Sequence, residues 1–279
     1  MYQEILFDID DPVATITLNR PEKLNALTDR TMREIAHAIE QAERSREVVG
    51  IVITGAGRGF CAGLDMGALQ TIQSAGAIAA MRSQDELPPA HPGDRSLGPD
   101  FALGYTYLLS VRKPVIAAIN GACAGLGFSI AMFCDLRFAA SNAVLITAFA
   151  QRGLVAEHGT SWIVPRLVGP SRALDILWSG RRIAADEALQ IGLVNRVFEP
   201  DRLVDEAKVY IRQLGETASP SSLMQMKRQV YRHLMAPLGQ AMEETGRLQD
   251  ESVTWPDFTE GIASFLEKRA PVFRRVARE

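Results

Sequence analysis

Two apolar runs of the same kind constrain this chain most. Gly50-Ile51-Val52-Ile53-Thr54 and Pro114-Val115-Ile116-Ala117-Ala118-Ile119 are short, rich in β-branched residues and free of polar alternation, the pattern of strands buried on both faces. A glycine-punctuated turn follows each: Arg58-Gly59-Phe60-Cys61-Ala62-Gly63-Leu64-Asp65 after the first, Asn120-Gly121-Ala122-Cys123-Ala124-Gly125-Leu126-Gly127-Phe128-Ser129 after the second. Each turn leads into a helical pattern. Glycine lets the backbone turn sharply and lets another group come close. A helix that starts there has N–H groups without partners and a partial positive charge behind them. Two such turns brought together offer N–H donors to one oxygen, which is what stabilising a negatively charged carbonyl oxygen requires.

The rest of the chain alternates around these runs. Residues 4–9 and 12–18 read as short strands about the turn signal Asp10-Asp11-Pro12. Thr28 opens a helix in which Leu27, Met32, Ile35, Ala36 and Ile39 keep the helical period, with Arg30, Arg33, Glu34 and Glu40 on the other face. A helix is expected near 101–111 and another over 127–134, the latter apolar nearly all round and therefore buried. Residues 135–139 and 144–146 read as strands, so the fold class is α/β. The segment 72–100 contains Pro88-Pro89, His91-Pro92-Gly93-Asp94 and Gly98-Pro99 without a sustained period, and reads as a mobile surface excursion, either a lid or a plain loop. Past residue 200 the pattern is purely helical over Asp201–Gly215, Ser219–Met235, Leu238–Val253 and Asp257–Lys268. The expected division is a core over 1–200 and a helical region over 201–279 of the kind that builds subunit interfaces.

Composition excludes several classes. The formal net charge of −3 gives no basic field for nucleic acid or a membrane surface. Cys61, Cys123 and Cys134 are an odd number set in apolar or glycine-rich runs, which favours reduced thiols in a cytoplasmic protein over a disulfide framework or a metal site. The residues Met1–Ile5 read directly as a strand with an acid at position 4, against a signal peptide.

Gly57-Arg58-Gly59-Phe60-Cys61-Ala62 also fits the dinucleotide pattern G-x-G-x-x-A. That reading needs an acid about 20 residues on at the end of the next strand. No acid lies between Asp65 and Asp85, and no strand pattern fills the interval, so the dinucleotide reading is set aside. Asp65 sits where a helix from Met66 wants an N-cap. The cysteines read as small core residues, His37, His91 and His233 as solvated, and His158 as a partly exposed loop residue able to tune its neighbour. Glu157, set between apolar residues and a glycine, has two readings. Burial would raise its pKa into a range suited to proton transfer, or it is an acid in the first turn of the following helix.

Six segments in order resemble the crotonase (enoyl-CoA hydratase/isomerase) superfamily: Leu18–Leu27, Phe60–Asp65, Ile119–Arg137, Pro165–Gly169, Ala184–Val197 and Glu260–Pro271. The resemblance implies a spiral of repeated ββα units, a C-terminal helical region that builds trimers or pairs of trimers, acyl-CoA substrates, and no cofactor beyond the coenzyme A of the substrate. It implies Ala62 and Leu126 as backbone N–H donors to the thioester oxygen. Lys23, Leu24, Ala26, Ala62, Gly63, Leu64, Asp65, Gly125, Leu126 and Ser129 are the implied substrate-binding set.

The departures bear on the chemistry. Hydratases of that family use two glutamates, and the matching positions here are Ser129 and Phe149. Glu157 falls where several isomerases of the family carry a single catalytic acid. The expected activity is therefore double-bond isomerisation of enoyl-CoA by Glu157. Hydration is the alternative, and a non-catalytic acyl-CoA-binding scaffold is the rival from another class.

Overall fold

The computed structural model describes residues 2–76 and 87–277. In chain order it contains β1 (Ile5–Asp10), β2 (Val13–Leu18), α1 (Asp29–Arg44), β3 (Gly50–Gly55), β4 (Gly59–Cys61), α2 (Met66–Ala75), α3 (Tyr107–Ser110), β5 (Val115–Ile119), β6 (Ala122–Ala124), α4 (Leu126–Phe133), β7 (Leu136–Ala140) and β8 (Val144–Ile146). Then follow α5 (Thr160–Val168), α6 (Pro170–Ser179), β9 (Ile183–Ala184), α7 (Ala185–Gln190), β10 (Arg196–Phe198), α8 (Leu203–Thr217), α9 (Pro220–His233), α10 (Leu238–Ser252) and α11 (Pro256–Glu267).

Two sheets organise the core. The larger runs β1-β2-β3-β5-β7-β10, antiparallel between β1 and β2 and parallel from there on. The smaller runs β4-β6-β8-β9. Every residue of β3 and of β5 is buried, as their unbroken apolar runs require. One face of this pair is covered by α8, whose Ile211 lies so close to Gly50 that a β-carbon there would meet it at 3.0 Å. The small sheet packs against β3 and β5 through β4. α8 thus belongs to the core through Leu203, Ala207 and Ile211, and the later helices carry the more exposed apolar residues.

Thr28 caps α1 as its position implies, and the reciprocal bonds with Thr31 complete a capping box. The polar face of α1 departs from expectation. Glu34 and Glu43 are fully buried and Glu40 nearly so. Glu34 is buried because its carboxylate accepts the N–H groups of Gln3, Glu4 and Ile5 where the chain enters β1. Glu43 accepts from the N–H of Gly93 at 2.6 Å and of Arg112 at 3.0 Å, pinning an otherwise irregular stretch to α1.

Three local readings are corrected. Residues 72–75 are the last turn of α2, so the irregular stretch begins later than expected; residues 77–86 lie outside the described set, and the rest contains short 3-10 turns at Arg95–Leu97 and Pro99–Ala102. The helix expected over 101–111 is only α3, because Gly104 takes φ +54 and breaks the run. The glycine turns are not wholly irregular either: each contains a three-residue strand, β4 or β6, and these pair in parallel with Cys61 opposite Cys123.

Candidate active site

The pairing of β4 with β6 brings the two glycine turns together. Gly63 takes φ +105, and a β-carbon on it would stand 3.2 Å from the carbonyl oxygen of Ala124 and 3.7 Å from the N of Leu126. Only glycine meets both demands. Gly125, at φ +51, approaches Gly63 as closely from the other side. Beyond each turn a helix starts: α2 is capped by Asp65, whose carboxylate accepts the N–H of Gly67 at 2.9 Å, and α4 begins at Leu126. Asp65 therefore has the capping role its position implied. Arg20 ion-pairs with it at 3.0 Å. Burial works to raise its pKa, but the Gly67 N–H and the Arg20 guanidinium outweigh that and hold the carboxyl below the usual range.

The backbone hydrogen bonds redistribute the expected donors. The N–H of Ala62 donates to the carbonyl of Leu24 at 2.9 Å, so it is committed within the protein and corrects the expectation that Ala62 supplies the first donor. Leu27 N–H donates to Gly63 O and Asp65 N–H to Leu27 O, a parallel bridge that straddles Leu64 and leaves its N–H outside the ladder. The N–H of Gly63 faces the Cys61 sulfur at 3.4 Å. Leu126, the first residue of α4, likewise has an N–H without an intrahelical acceptor. Leu64 and Leu126, which line one cavity, thus have N–H groups that no backbone acceptor takes.

A cavity of about 780 Å³ opens over these turns. Of the residues implied as a substrate-binding set, Lys23, Ala26, Ala62, Gly63, Leu64, Asp65, Gly125 and Leu126 line it. Leu24 and Ser129 do not. Leu24 sits at φ +48 and contributes its carbonyl to Ala62, and Ser129 is fully buried with its hydroxyl donating to the Gly125 carbonyl at 3.2 Å. The remaining walls are largely apolar, among them Met32, Leu69, Tyr105 and Phe149. Reasoning from the sequence missed Tyr105, a buried ring whose hydroxyl donates to the Met32 sulfur at 3.1 Å; its place between Gly104 and Thr106 in a broken run gave no periodic signal.

Glu157 and His158 line the same cavity. Glu157 lies ahead of α5, not in its first turn, since Gly159 is the N-cap; the reading as a first-turn helix acid is thereby corrected. Its carbonyl accepts the N–H and the hydroxyl of buried Thr160 at 3.0 and 2.8 Å, which fixes the turn. His158 and Gly159 are both left-handed, at φ +53 and +77, and a β-carbon on Gly159 would press on the Phe133 ring at 2.9 Å. The carboxylate is therefore carried by a tight reversal packed on the end of α4. His158 is exposed, as expected of a loop histidine, while His37 bonds the Tyr2 hydroxyl at 2.7 Å and His233 faces Glu244 at 3.4 Å instead of being merely solvated.

The cysteines are free, buried core residues, and burial pushes the Cys61 thiol up to about 12, so none is an activated nucleophile. Among the described residues no group of three or more metal-ligating side chains occurs, and no helix is long and apolar enough to cross a membrane.

Backbone N–H groups without internal acceptors at two glycine turns, a largely apolar cleft and the carboxylates of Asp65 and Glu157 on its wall form a site of the kind in which enzymes handle carbonyl compounds. The sequence matches the enoyl-CoA hydratase/isomerase family over residues 8–276, and the chain belongs to that family. It is 31% identical over 273 residues to a 1,2-epoxyphenylacetyl-CoA isomerase of Escherichia coli, with 98% of this chain and 99% of that one covered. It is 32% identical to a short-chain-enoyl-CoA hydratase of Clostridium acetobutylicum, with 95% of each covered. Among solved structures, an enoyl-CoA hydratase subunit of Geobacillus kaustophilus superposes with a TM-score of 0.82 at 32% identity, covering 98% of each chain. An enoyl-CoA hydratase of Bacillus anthracis gives 0.84 at 26%, covering 98% of this chain and 99% of that one. The fold is the crotonase fold that the six segments implied.

Proposed function

We propose that this enzyme moves a carbon–carbon double bond in enoyl-CoA thioesters, with Glu157 as the single proton carrier. The thioester oxygen accepts from the N–H groups of Leu64 and Leu126, which lowers the cost of forming an enolate. Glu157 takes a proton from one carbon of the acyl chain and returns it to another, so the carboxylate ends as it began. Lys23, Ala26 and the stretch Ala62–Asp65 then flank the coenzyme A portion.

One observation carries the choice of reaction. Asp65 also lines the cavity, but its carboxylate is engaged by Gly67 and Arg20, which leaves Glu157 as the acid–base carboxylate there. The positions that carry glutamates in the hydratase pattern hold buried Ser129, turned onto a backbone carbonyl, and apolar Phe149. Proton transfer between carbons needs one carboxylate, whereas adding water needs an activated water as well. Hydration remains the second reading because several relatives bear that name.

The test is Glu157→Gln, which keeps shape and removes the base. Isomerisation of 3-enoyl-CoA should fall about 10²–10⁴-fold while coenzyme A binding by calorimetry stays near wild type. Ser129→Ala should cost far less. Full isomerase activity in Glu157→Gln sinks the proposal, and a wild-type enzyme that converts 2-enoyl-CoA to 3-hydroxyacyl-CoA but leaves 3-enoyl-CoA unchanged replaces it with hydration.

A further inference from the structure

The isomerase reading leaves one ionisable neighbour of the working carboxylate without a task. His158 follows Glu157 directly and lines the same cavity, yet it is exposed to solvent as well. Its ring is not free to wander: it packs against the buried Tyr105 ring at 5.6 Å between centroids and 47° between planes. Its backbone is held left-handed at φ +53 in the reversal whose two ends are Glu157 and Thr160. The imidazole thus belongs to the cavity wall directly after Glu157, packed on the Tyr105 ring and open to solvent.

Several other ionisable groups of the cavity wall are unsuited to exchanging protons. Tyr105 and Tyr107 are pushed up by burial, and the Tyr105 hydroxyl is engaged by Met32. The Arg152 guanidinium donates to the Ala148 carbonyl at 2.8 Å and cannot be deprotonated in a protein. Asp65 serves Gly67 and Arg20. Desolvation pulls the His158 pKa below its ordinary value, more than the Glu157 charge raises it, so at neutral pH the ring is uncharged and has one nitrogen that accepts and one that donates.

We propose that His158 is a proton relay between Glu157 and solvent, acting through Glu157 and not on the acyl chain. When Glu157 holds the proton taken from carbon, the neutral imidazole accepts it and becomes imidazolium, and its other N–H releases a proton to water. The reverse sequence recharges the carboxyl with a solvent proton before delivery to the second carbon. Each step moves one proton and leaves the ring neutral at the end. The proton that arrives at the product carbon is then of solvent origin whenever relay outruns delivery. This inference rests on Glu157 being the proton carrier.

The experiment is isomerisation of a 3-enoyl-CoA in D2O, with product deuterium read by mass spectrometry alongside turnover. His158→Asn suits the left-handed position, since asparagine tolerates it, and removes the imidazole. The expected result is product deuterium reduced roughly tenfold while turnover changes only a few-fold, less than loss of a direct general acid or base would cause. Free imidazole added to His158→Gly should restore the label, which a merely structural role of the ring would not allow. Equal labelling in wild type and His158→Asn, or an unlabelled wild-type product, overturns the relay while leaving the isomerase reading intact. Full activity in Glu157→Gln overturns that reading instead, and the relay with it.

Discussion

Proline placed at each of two positions distinguishes the donors directly. Leu126 is the first residue of α4, after a glycine cap at φ +51 and ψ −117. An N–H at that position has no acceptor within its helix, and proline is at home there. Leu126→Pro should therefore fold. It loses part of a side chain that is 6% exposed, a cost of about 1–2 kcal/mol from the apolar area given up. The lost donor is expected to lower turnover by about 10²–10³, or about 2.7–4 kcal/mol of transition-state stabilisation. Ala62→Pro has the opposite profile. Its N–H bond to the Leu24 carbonyl disappears, and a hydrogen bond lost from within the fold costs about 1–3 kcal/mol before ring clashes are counted. For a chain of this size each kcal/mol is worth about 2–4 °C, so Ala62→Pro should melt visibly lower. The assay pairs circular-dichroism melting with isomerisation of 3-enoyl-CoA. Wild-type turnover in Leu126→Pro refutes its role as a donor. A variant Ala62→Pro that melts like wild type but has lost turnover would refute the assignment to Leu64 and return the role to Ala62.

Gly127→Ala should destabilise by about 1–3 kcal/mol or more, because the new β-carbon would stand 2.5 Å from the Cys61 β-carbon and 2.6 Å from its carbonyl oxygen; an unchanged urea midpoint would contradict the close packing of α4 on β4. Burial pulls the Lys113 ammonium, which donates to the carbonyls of Ala42 and Ser45, down to about 8. Between that value and the ordinary lysine range the unfolded chain binds more protons, so stability relative to Lys113→Met should rise as pH is raised through 8 and above; a gap independent of pH between about 7 and 9.5 would count against it. Met226, Val230, Met242, Ile262 and Phe265 on α9, α10 and α11 are exposed, a share of apolar surface that a subunit interface would cover. Light scattering should report a trimer or a pair of trimers, and a stable monomer at micromolar concentration would contradict that assembly.

What the chain discloses in advance follows the range of the interactions involved. The fully buried strands β3 and β5 are legible because covering both faces leaves no room for polar residues, and Thr28 is legible because a cap bonds residues three apart. The glycine turns are legible as turns. Their short strands are not, since three residues have no period, and β4 and β6 exist through pairing with distant segments: with each other and, for β6, with β8. Ala62 illustrates the same limit at the site. Its acceptor is Leu24, far upstream, and nothing local marks its N–H as occupied and that of Leu64 as spared. Glu34 looks like a surface acid by helical period, but its partners are the N–H groups that open β1 on another segment. Glu157 could be singled out by its setting, while the reversal that carries it depends on Phe133 and Thr160.

The spacing of the two glycine turns, the proposed seat of the thioester oxygen, follows from β4 and β6 being neighbouring parallel strands, which stand about 4.8 Å apart in any protein. An anchor measured out by main-chain geometry is indifferent to most side chains around it. Substitutions in the cavity wall can exchange one acid for another, or move it from α4 to the reversal before α5, without disturbing where the thioester oxygen rests. Under the proposed reaction, the holding of the substrate and the choice of chemistry are thus separately mutable, and removing the acid at position 157 or placing one at 129 or 149 should change the chemistry on an unaltered mount.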